Sequence, residues 1–286
     1  MDKVIFGDNQ FFGVDHLSEE RSRAKMMRFK DAQAIIKVLD AVYDSGINTF
    51  MCTTYDRMWD ICDHFRANPE RYNGFKFYPC MPYAHKYANA VTELGIFGTV
   101  KKYASRNITS SIVKGSKMLL KQDMFEAMKL LVDSEMKMFH SLNTPVIFLQ
   151  NVVTDLLYGL DMTQFFKSFS DYVEERYNAE AGFITMNMPA LVPVLQDLGI
   201  DNPIVCSSIN KGGFRMSGGK GAYEEMLKKG GFHAIAMQVL AAGALRPDEA
   251  IEYIGSLPNI ESVLFGASTP EHINQTRELI EQHLGD

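Results

Sequence analysis

The chain has 286 residues, of which 46% are hydrophobic and 22% are charged. That composition is typical of a globular protein and argues against an intrinsically disordered chain. The formal net charge of −6 disfavours a nucleic acid or a membrane surface as partner, because both are polyanions. The length allows one α/β barrel of about 250 residues or two ordinary domains, so the pattern along the chain must decide between them.

Short runs rich in β-branched and aromatic residues alternate with longer segments of helical period. This alternation predicts βα units stacked around a parallel sheet. Because eight strands each feed a helix, we expect a closed (β/α)8-barrel, the TIM barrel, as a single domain over residues 1–286; an open doubly wound sheet is the main alternative. The predicted strands are Val4–Gly7, Asn48–Thr53, Lys76–Cys80, Val146–Gln150, Gly182–Asn187, Ile204–Ser207, His233–Gln238 and Ser262–Gly266.

The segments between these strands predict helices, several of which begin with proline or a short polar residue, as helix starts often do. Two connections are unusually long, namely Asn9–Lys30 and Met81–Pro145. We expect a helical excursion over 81–145, because a structureless loop of that length is improbable inside a compact domain. The predicted helices are Asp31–Ser45, Asp56–Arg66, Thr163–Tyr177, Pro189–Leu198, Ala222–Lys229, Pro247–Gly255 and Pro270–Leu284.

Cysteine usage and hydropathy indicate a cytoplasmic protein. No apolar run approaches the roughly 20 residues of a membrane span, and charge interrupts the first residues too early for a secretory signal. The four cysteines lack CxxC spacing, so we expect four free thiols and no metal site. Three of them fall near predicted strand ends, where a nucleophile or a small buried hydrophobe would both fit. They are Cys52, Cys80 and Cys206.

Catalytic groups of such barrels come from the carboxyl ends of the strands. Tyr55, Asp56, His85 and Lys86 follow the second and third strands, and we predict that they form the catalytic cluster. A tyrosine can donate a proton if a nearby cation lowers its pKa, and a carboxylate can orient that cation. Alternatively, these residues only begin the following helices. The predicted substrate-binding residues are Asp8, Asn9, Cys52, Gln150 and Asn151.

Several stretches resemble the aldo-keto reductases, a family of (β/α)8-barrels that carry hydride between NAD(P)H and carbonyl compounds. Gly46–Phe50 resembles the family's entry into the second strand, Gly182–Asn187 its fifth strand and Ala234–Leu240 its seventh. Val263–Ile273 resembles the eighth strand and the helix after it. The resemblance implies NADP or NAD as cofactor, with Asn187 at the nicotinamide amide and Ser268 at the adenosine phosphate. The cofactor-binding residues that it implies are Asn187, Ser207, Gln238, Gly266, Ser268 and His272.

The chain departs from the family pattern at the catalytic positions. Met51 stands where family members have an aspartate, and the tyrosine position falls at Asp56, one residue after Tyr55. The third strand ends in Cys80 without the expected lysine, unless Lys86 reaches back. Gln150 or Asn151 stands where the family has a histidine after the fourth strand. Met237 stands where the family has the aromatic residue that stacks on the nicotinamide.

The sequence therefore favours an enzyme that acts on a small polar molecule. One hypothesis is a reductase in which Tyr55, Asp56, His85 and Lys86 form the proton-donor site at positions shifted from those of the family. A second is a non-redox lyase, isomerase or hydrolase whose amide-rich rim binds a small polar or anionic substrate. A noncatalytic binding protein is a third, and each of the three leaves a homo-oligomer open.

Overall fold

The computed structural model describes residues 1–12, 19–83 and 121–285 of the chain. Its strands are β1 Val4–Gly7, β2 Thr49–Thr53, β3 Lys76–Met81, β4 Val146–Leu149, β5 Glu180–Thr185, β6 Ile204–Ser208, β7 His233–Met237 and β8 Ile260–Phe265. They pair in parallel and in sequence order, and β8 pairs with β1. This closure confirms the predicted barrel and excludes an open sheet.

The described helices surround the barrel. They are α1 Glu19–Arg28, α2 Ala32–Asp44, α3 Met58–Ala67, α4 Lys121–Met136, α5 Asn151–Gly159, α6 Gln164–Tyr177, α7 Met188–Asp197, α8 Lys220–Lys229, α9 Pro247–Gly255 and α10 Pro270–His283. Local signals account for several starts. The Asp31 carboxylate accepts the Ala34 amide at 2.9 Å, and Pro247 and Pro270 occupy the first positions of α9 and α10. Proline suits that position because its missing N–H would have no partner there.

Several parts of the chain differ from the prediction, among them the starts of β8 and α8, each two residues earlier than predicted. Helix α5 was not predicted, and it begins directly after β4, where the Gln150 carbonyl accepts the amides of Val153 and Thr154. Strand β5 begins at Glu180, two residues earlier than predicted, because Glu180 pairs with Val146. The first long connection contains α1.

The predicted excursion over 81–145 lies largely outside the description. Met81 belongs to β3, and α4 supplies the one helix longer than a single turn that is described within this range. Residues 84–120 lie outside the described residues.

The core has two layers, because successive side chains of a strand point to opposite faces. The outer layer lies between the strands and the helices and includes Phe50, Cys52 and Phe77. The inner layer fills the barrel, as expected for this fold. Its buried members are Ile5, Met51, Tyr78, Cys80, Val146, Phe148, Ile184, Ile204, Cys206 and Ile235.

The four cysteines are buried and free, as predicted. Among the described helices, none combines the length and the apolar character that crossing a bilayer would require.

Phe148 fills the barrel where Gly182 faces it. A Cβ atom at Gly182 would lie 2.3 Å from the Phe148 ring. We therefore expect Gly182→Ala to lower the free energy of unfolding by about 1–3 kcal/mol, the usual effect of overpacking a core. Urea unfolding followed by circular dichroism measures this change.

Gly221→Ala is the matched control, because nothing lies within 4 Å of a Cβ at that position in the first turn of α8. It should leave stability unchanged or raise it. Combining Gly182→Ala with Phe148→Leu should recover part of the loss. Equal effects of the two alanine substitutions would contradict the packing of this barrel.

Candidate active site

Polar residues lie above the apolar interior at the carboxyl ends of the strands. Three of them stand two residues beyond an interior residue and so continue the same face of the strand. They are Thr53, Gln150 and Ser208, which follow Met51, Phe148 and Cys206. Hydroxyl and amide groups therefore line the floor of the opening where this fold carries its chemistry.

Asp8 anchors one side of this floor. Its side chain is 7% exposed, and its carboxylate accepts both the amide and the hydroxyl of Thr53, at 2.7 and 2.5 Å. The Tyr55 phenol lies beside Thr53 and Tyr83, and both side chains influence its pKa. The buried Asp8 carboxyl group, the Thr53 hydroxyl and the Tyr55 phenol are thus neighbours on this side of the floor.

Asp8 and Tyr55 both hold their protons more tightly than they would in water. Burial raises the pKa of Asp8, and the two bonds from Thr53 oppose that shift only in part. Burial also raises the pKa of Tyr55, and the hydrogen bond with Tyr83 and the Asp8 charge raise it further. Tyr55 is therefore protonated at neutral pH, and it gives up that proton less readily than an ordinary tyrosine, because an efficient general acid has a pKa near the working pH.

A second buried carboxylate holds the next residue of the chain. Glu135 of α4 is 1% exposed and accepts the Thr54 hydroxyl at 2.5 Å. Both of its carboxylate oxygens lie 3.2 Å from the Tyr83 amide. Glu135 thereby joins the end of β2 to the residue that contacts Tyr55.

Glu135 was not predicted as a site residue, although its helical spacing from apolar residues could have indicated it. Met128 and Val132 are buried on α4, and Glu135 continues their helical spacing on the same apolar face. A carboxylate at such a position must find hydrogen-bond donors, because an unpaired buried charge is costly.

Aromatic rings enclose Tyr55. The Phe12 ring stacks on it at a centroid distance of 3.5 Å, and the Tyr83 ring lies at 4.5 Å. The Arg57 guanidinium lies 5.0 Å from the centre of the Phe12 ring and donates to the Phe29 carbonyl. These contacts fix the ring of Tyr55 at the opening.

The predicted catalytic residues are described only in part. Tyr55 lies at the opening as set out above. Asp56 is exposed, and its carbonyl accepts the Trp59 amide in the turn before α3. His85 and Lys86 lie outside the described residues. Convergence of the four side chains therefore stays a prediction.

The predicted substrate-binding residues separate into two groups. Asp8 and Gln150 are buried at the floor, whereas Asn9 is exposed in the turn after β1 and Asn151 is half-buried as the first residue of α5. Cys52 is fully buried in the outer layer of the core, and burial raises its pKa well above the ordinary range. Its thiol is therefore protonated and turned away from the barrel interior.

Two of the cofactor-binding residues implied by the resemblance lie on opposite sides of the sheet. Gln238 accepts the Ser208 hydroxyl at 2.5 Å, at the opening. Ser207 is fully buried, donates to the Thr185 carbonyl and contacts the Tyr223 hydroxyl of α8. Ser207 therefore faces the helix layer, and Ser208 is the serine that faces the floor.

The remaining cofactor-binding residues lie along the ends of β5 and β8. The backbone amide of Asn187 donates to the Thr185 hydroxyl. The backbone carbonyl of Ser268 accepts a hydrogen bond from the Arg28 guanidinium at 2.8 Å. His272 is exposed in the first turn of α10. Gln10 covers Gly266 so closely that a Cβ there would lie 2.1 Å from its amide oxygen.

The two positions at which the family carries an aspartate and a lysine are apolar here. Met51 is 3% exposed and Cys80 is 4% exposed, and both belong to the barrel interior. Burial raises the pKa of the Cys80 thiol, so that side chain is neutral. Within the described ranges, no group of three or more histidine, cysteine, aspartate or glutamate side chains could hold a metal ion.

The pKa of Asp8 predicts a pH-dependent stability. Because its folded pKa is raised above the unfolded value of about 3.9, folding favours the protonated form. Lowering the pH from about 7 to about 5 should therefore stabilise the wild-type protein relative to Asp8→Asn. Urea unfolding of both proteins at each pH gives that difference.

Asp171→Asn is the control for the loss of one carboxylate, because Asp171 is an exposed partner of Lys167. The quantity compared is the free energy of unfolding of the wild type minus that of Asp8→Asn. A value that does not change with pH, or that falls as the pH falls, would contradict the burial of Asp8.

Several solved structures share the fold of this barrel. No protein-family model and no curated protein sequence matches the chain. A solved structure assigned to the aldo-keto reductases, from Pseudomonas aeruginosa, is similar with a TM-score of 0.62 and 11% identity, over 99% of this chain and 90% of that one.

Two further solved structures have the same architecture. An aldo-keto reductase from Brucella melitensis is similar with a TM-score of 0.55 and 10% identity, over 90% of this chain and 86% of that one. A thermostable aldo-keto reductase bound to the inhibitor epalrestat is similar with a TM-score of 0.56 and 11% identity, over 99% and 93%. The chain therefore has the (β/α)8-barrel fold of the aldo-keto reductases.

Proposed function

We propose that this protein is a divergent oxidoreductase of the aldo-keto reductase type, which reduces a small polar carbonyl compound with NADPH or NADH. The observation that carries the proposal is the position of Tyr55 at the barrel opening, where the Phe12 and Tyr83 rings enclose it beside the buried Asp8 carboxyl group. Carbonyl reduction needs a proton at the carbonyl oxygen as well as a hydride at the carbonyl carbon. Tyr55 is a protonated phenol at the end of the barrel where this fold carries its chemistry.

In the proposed mechanism, Tyr55 gives its proton to the substrate oxygen. A bound nicotinamide would supply the hydride. The Asp8 charge, which raises the pKa of Tyr55, disfavours the tyrosinate left behind and so promotes its return to the protonated phenol. His85 and Lys86 lie outside the described residues, so this mechanism uses none of their contacts.

The residues present fit a nicotinamide dinucleotide over part of its length. Arg28 and Ser268 meet beside the start of α10, where the Arg28 cation suits a phosphate, although the Thr269 and Glu271 side chains already bond the first amides of the helix. Asn187 and Gln238 supply amides for the nicotinamide end. Gln10 covers Gly266, so its side chain must turn aside if a dinucleotide follows β8 closely.

A non-redox reaction is the second candidate, and the apolar pair Met51 and Cys80 favours it. An aspartate and a lysine at these positions would supply a cation near the tyrosine, and their replacements supply none. A phenol with a raised pKa can still act as a general acid in a lyase or an isomerase. Such an enzyme would need no nicotinamide.

Tyr55→Phe tests the proton donor. The substitution removes the phenolic proton and keeps the ring stacked on Phe12, so we expect turnover to fall by about 100-fold or more with little loss of thermal stability. The assay follows NADPH or NADH consumption over a panel of small polar aldehydes and ketones. Tyr43→Phe is the matched control, because Tyr43 donates to Asn73 on the outside of the barrel.

The same assay separates the two candidates. Turnover by the wild type that requires both nucleotide and carbonyl compound supports the reductase. Turnover of a substrate in buffer without nucleotide supports the non-redox enzyme. If Tyr55→Phe lowers melting temperature but keeps turnover per folded molecule, Tyr55 is not the proton donor.

A further inference from the structure

A cavity of about 460 Å³ lies on the outside of the barrel, and the α4 residues that line it flank Glu135 without including it. Its walls come from the end of α4, the segment before β4 and the last turn of α6. Both α6 and the segment before β4 lead into the amino ends of strands, so the cavity lies towards the end of the barrel opposite the polar floor. The lining residues are Leu130, Asp133, Ser134, Met136, Lys137, Phe139, His140, Ser141, Leu142, Thr144, Arg176 and Tyr177.

One part of the lining is apolar. Met136 and Phe139 are buried against the core, and Leu130 and Leu142 are half-buried beside them. The volume lies within the range of small-molecule sites, which is about 300 to 1,000 Å³. An aromatic or aliphatic group of a ligand would therefore lose its contact with water here.

Two cations stand at the rim. Lys137 and Arg176 are both exposed, and neither forms an ion pair with any residue that the structure describes. The Arg176 guanidinium lies 5.9 Å from the centre of the Tyr177 ring, which is part of the cavity wall. Arg176 also contacts the Tyr172 hydroxyl. Two exposed cations that form no ion pair with a described carboxylate, beside an apolar recess, suit a ligand that carries a negative charge.

The single acidic residue of the lining already has partners. The same carboxylate oxygen of Asp133 accepts the hydroxyls of Tyr172 and Tyr177. These two donors disperse its charge, and the fixed carboxylate in turn holds Tyr177 in the wall. Asp133 therefore shapes the cavity, while Lys137 and Arg176 determine its charge preference.

We propose that this cavity binds a small organic anion with an apolar ring or chain, at a site separate from the candidate active site. The apolar part would contact Met136, Phe139 and Leu142. The carboxylate, sulfonate or phosphate group would lie between Lys137 and Arg176, where charge-assisted hydrogen bonds are strong.

A pair of matched dyes tests this proposal. Anilinonaphthalene sulfonate carries an apolar ring system and one negative charge, whereas N-phenylnaphthylamine has the same rings without the charge. We expect one saturable site for the sulfonate on the folded protein and weaker binding of the neutral dye. The double variant Lys137→Gln/Arg176→Gln should weaken sulfonate binding by about tenfold or more, equivalent to about 1.4 kcal/mol, and leave the neutral dye unchanged.

Two controls locate the site. Lys228→Gln/Lys229→Gln removes two exposed lysines from the last turn of α8 and should leave both affinities unchanged. Thr144→Trp should fill the cavity and lower the affinity for both dyes, with urea unfolding as the check that the variant folds. The titrations need neither nucleotide nor substrate, so their outcome is independent of the proposed reductase activity.

Three results would overturn the proposal. The first is equal affinity for the charged and the neutral dye. The second is an equal loss of sulfonate binding in the Lys137/Arg176 and Lys228/Lys229 variants. The third is unchanged binding of both dyes by a folded Thr144→Trp variant.

Discussion

Thr53 and Thr54, where β2 ends, are each bonded to a buried carboxylate that comes from a different part of the chain. Asp8 follows β1 and accepts the amide and hydroxyl of Thr53, while Glu135 of α4 accepts the hydroxyl of Thr54. A buried carboxylate must keep such donors, because the loss of one leaves a charge without compensation. The two bonds therefore fix where the chain leaves the barrel, and Tyr55 is the next residue.

This constraint places the Tyr55 phenol at the opening, above an interior that is neutral at Met51 and Cys80. Met51 and Cys80 pack in the barrel as apolar side chains. Phe12 and Tyr83 enclose the Tyr55 ring, and the Asp8 charge favours the protonated phenol, whereas Thr53 opposes that shift. The barrel has the fold of the aldo-keto reductases, and these neighbours determine the acidity of Tyr55.

Much of the fold could be predicted because its signals are local: buried strands read as apolar runs, and Asp31, Pro247 and Pro270 begin helices. The site could be predicted less well because its bonds join distant residues. Thr54 and Glu135 are 81 positions apart, and Asp8 and Thr53 are 45 apart. Ser207 was predicted at the cofactor although Ser208 faces the floor, since a one-residue change reverses the face of a strand.

The coupling between Asp8 and Thr53 tests most directly whether the bonds at the end of β2 hold the candidate site in place. A double-mutant cycle of Asp8→Asn and Thr53→Val, measured by urea unfolding, should give an interaction energy of about 0.5–3 kcal/mol, as for other contacting residues. The pair Asp8→Asn and Thr54→Val is the matched comparison, because Thr54 bonds to Glu135 instead, and it should give a distinctly smaller energy. Equal energies in the two cycles, or effects of Asp8→Asn and Thr53→Val that simply add, would contradict the account.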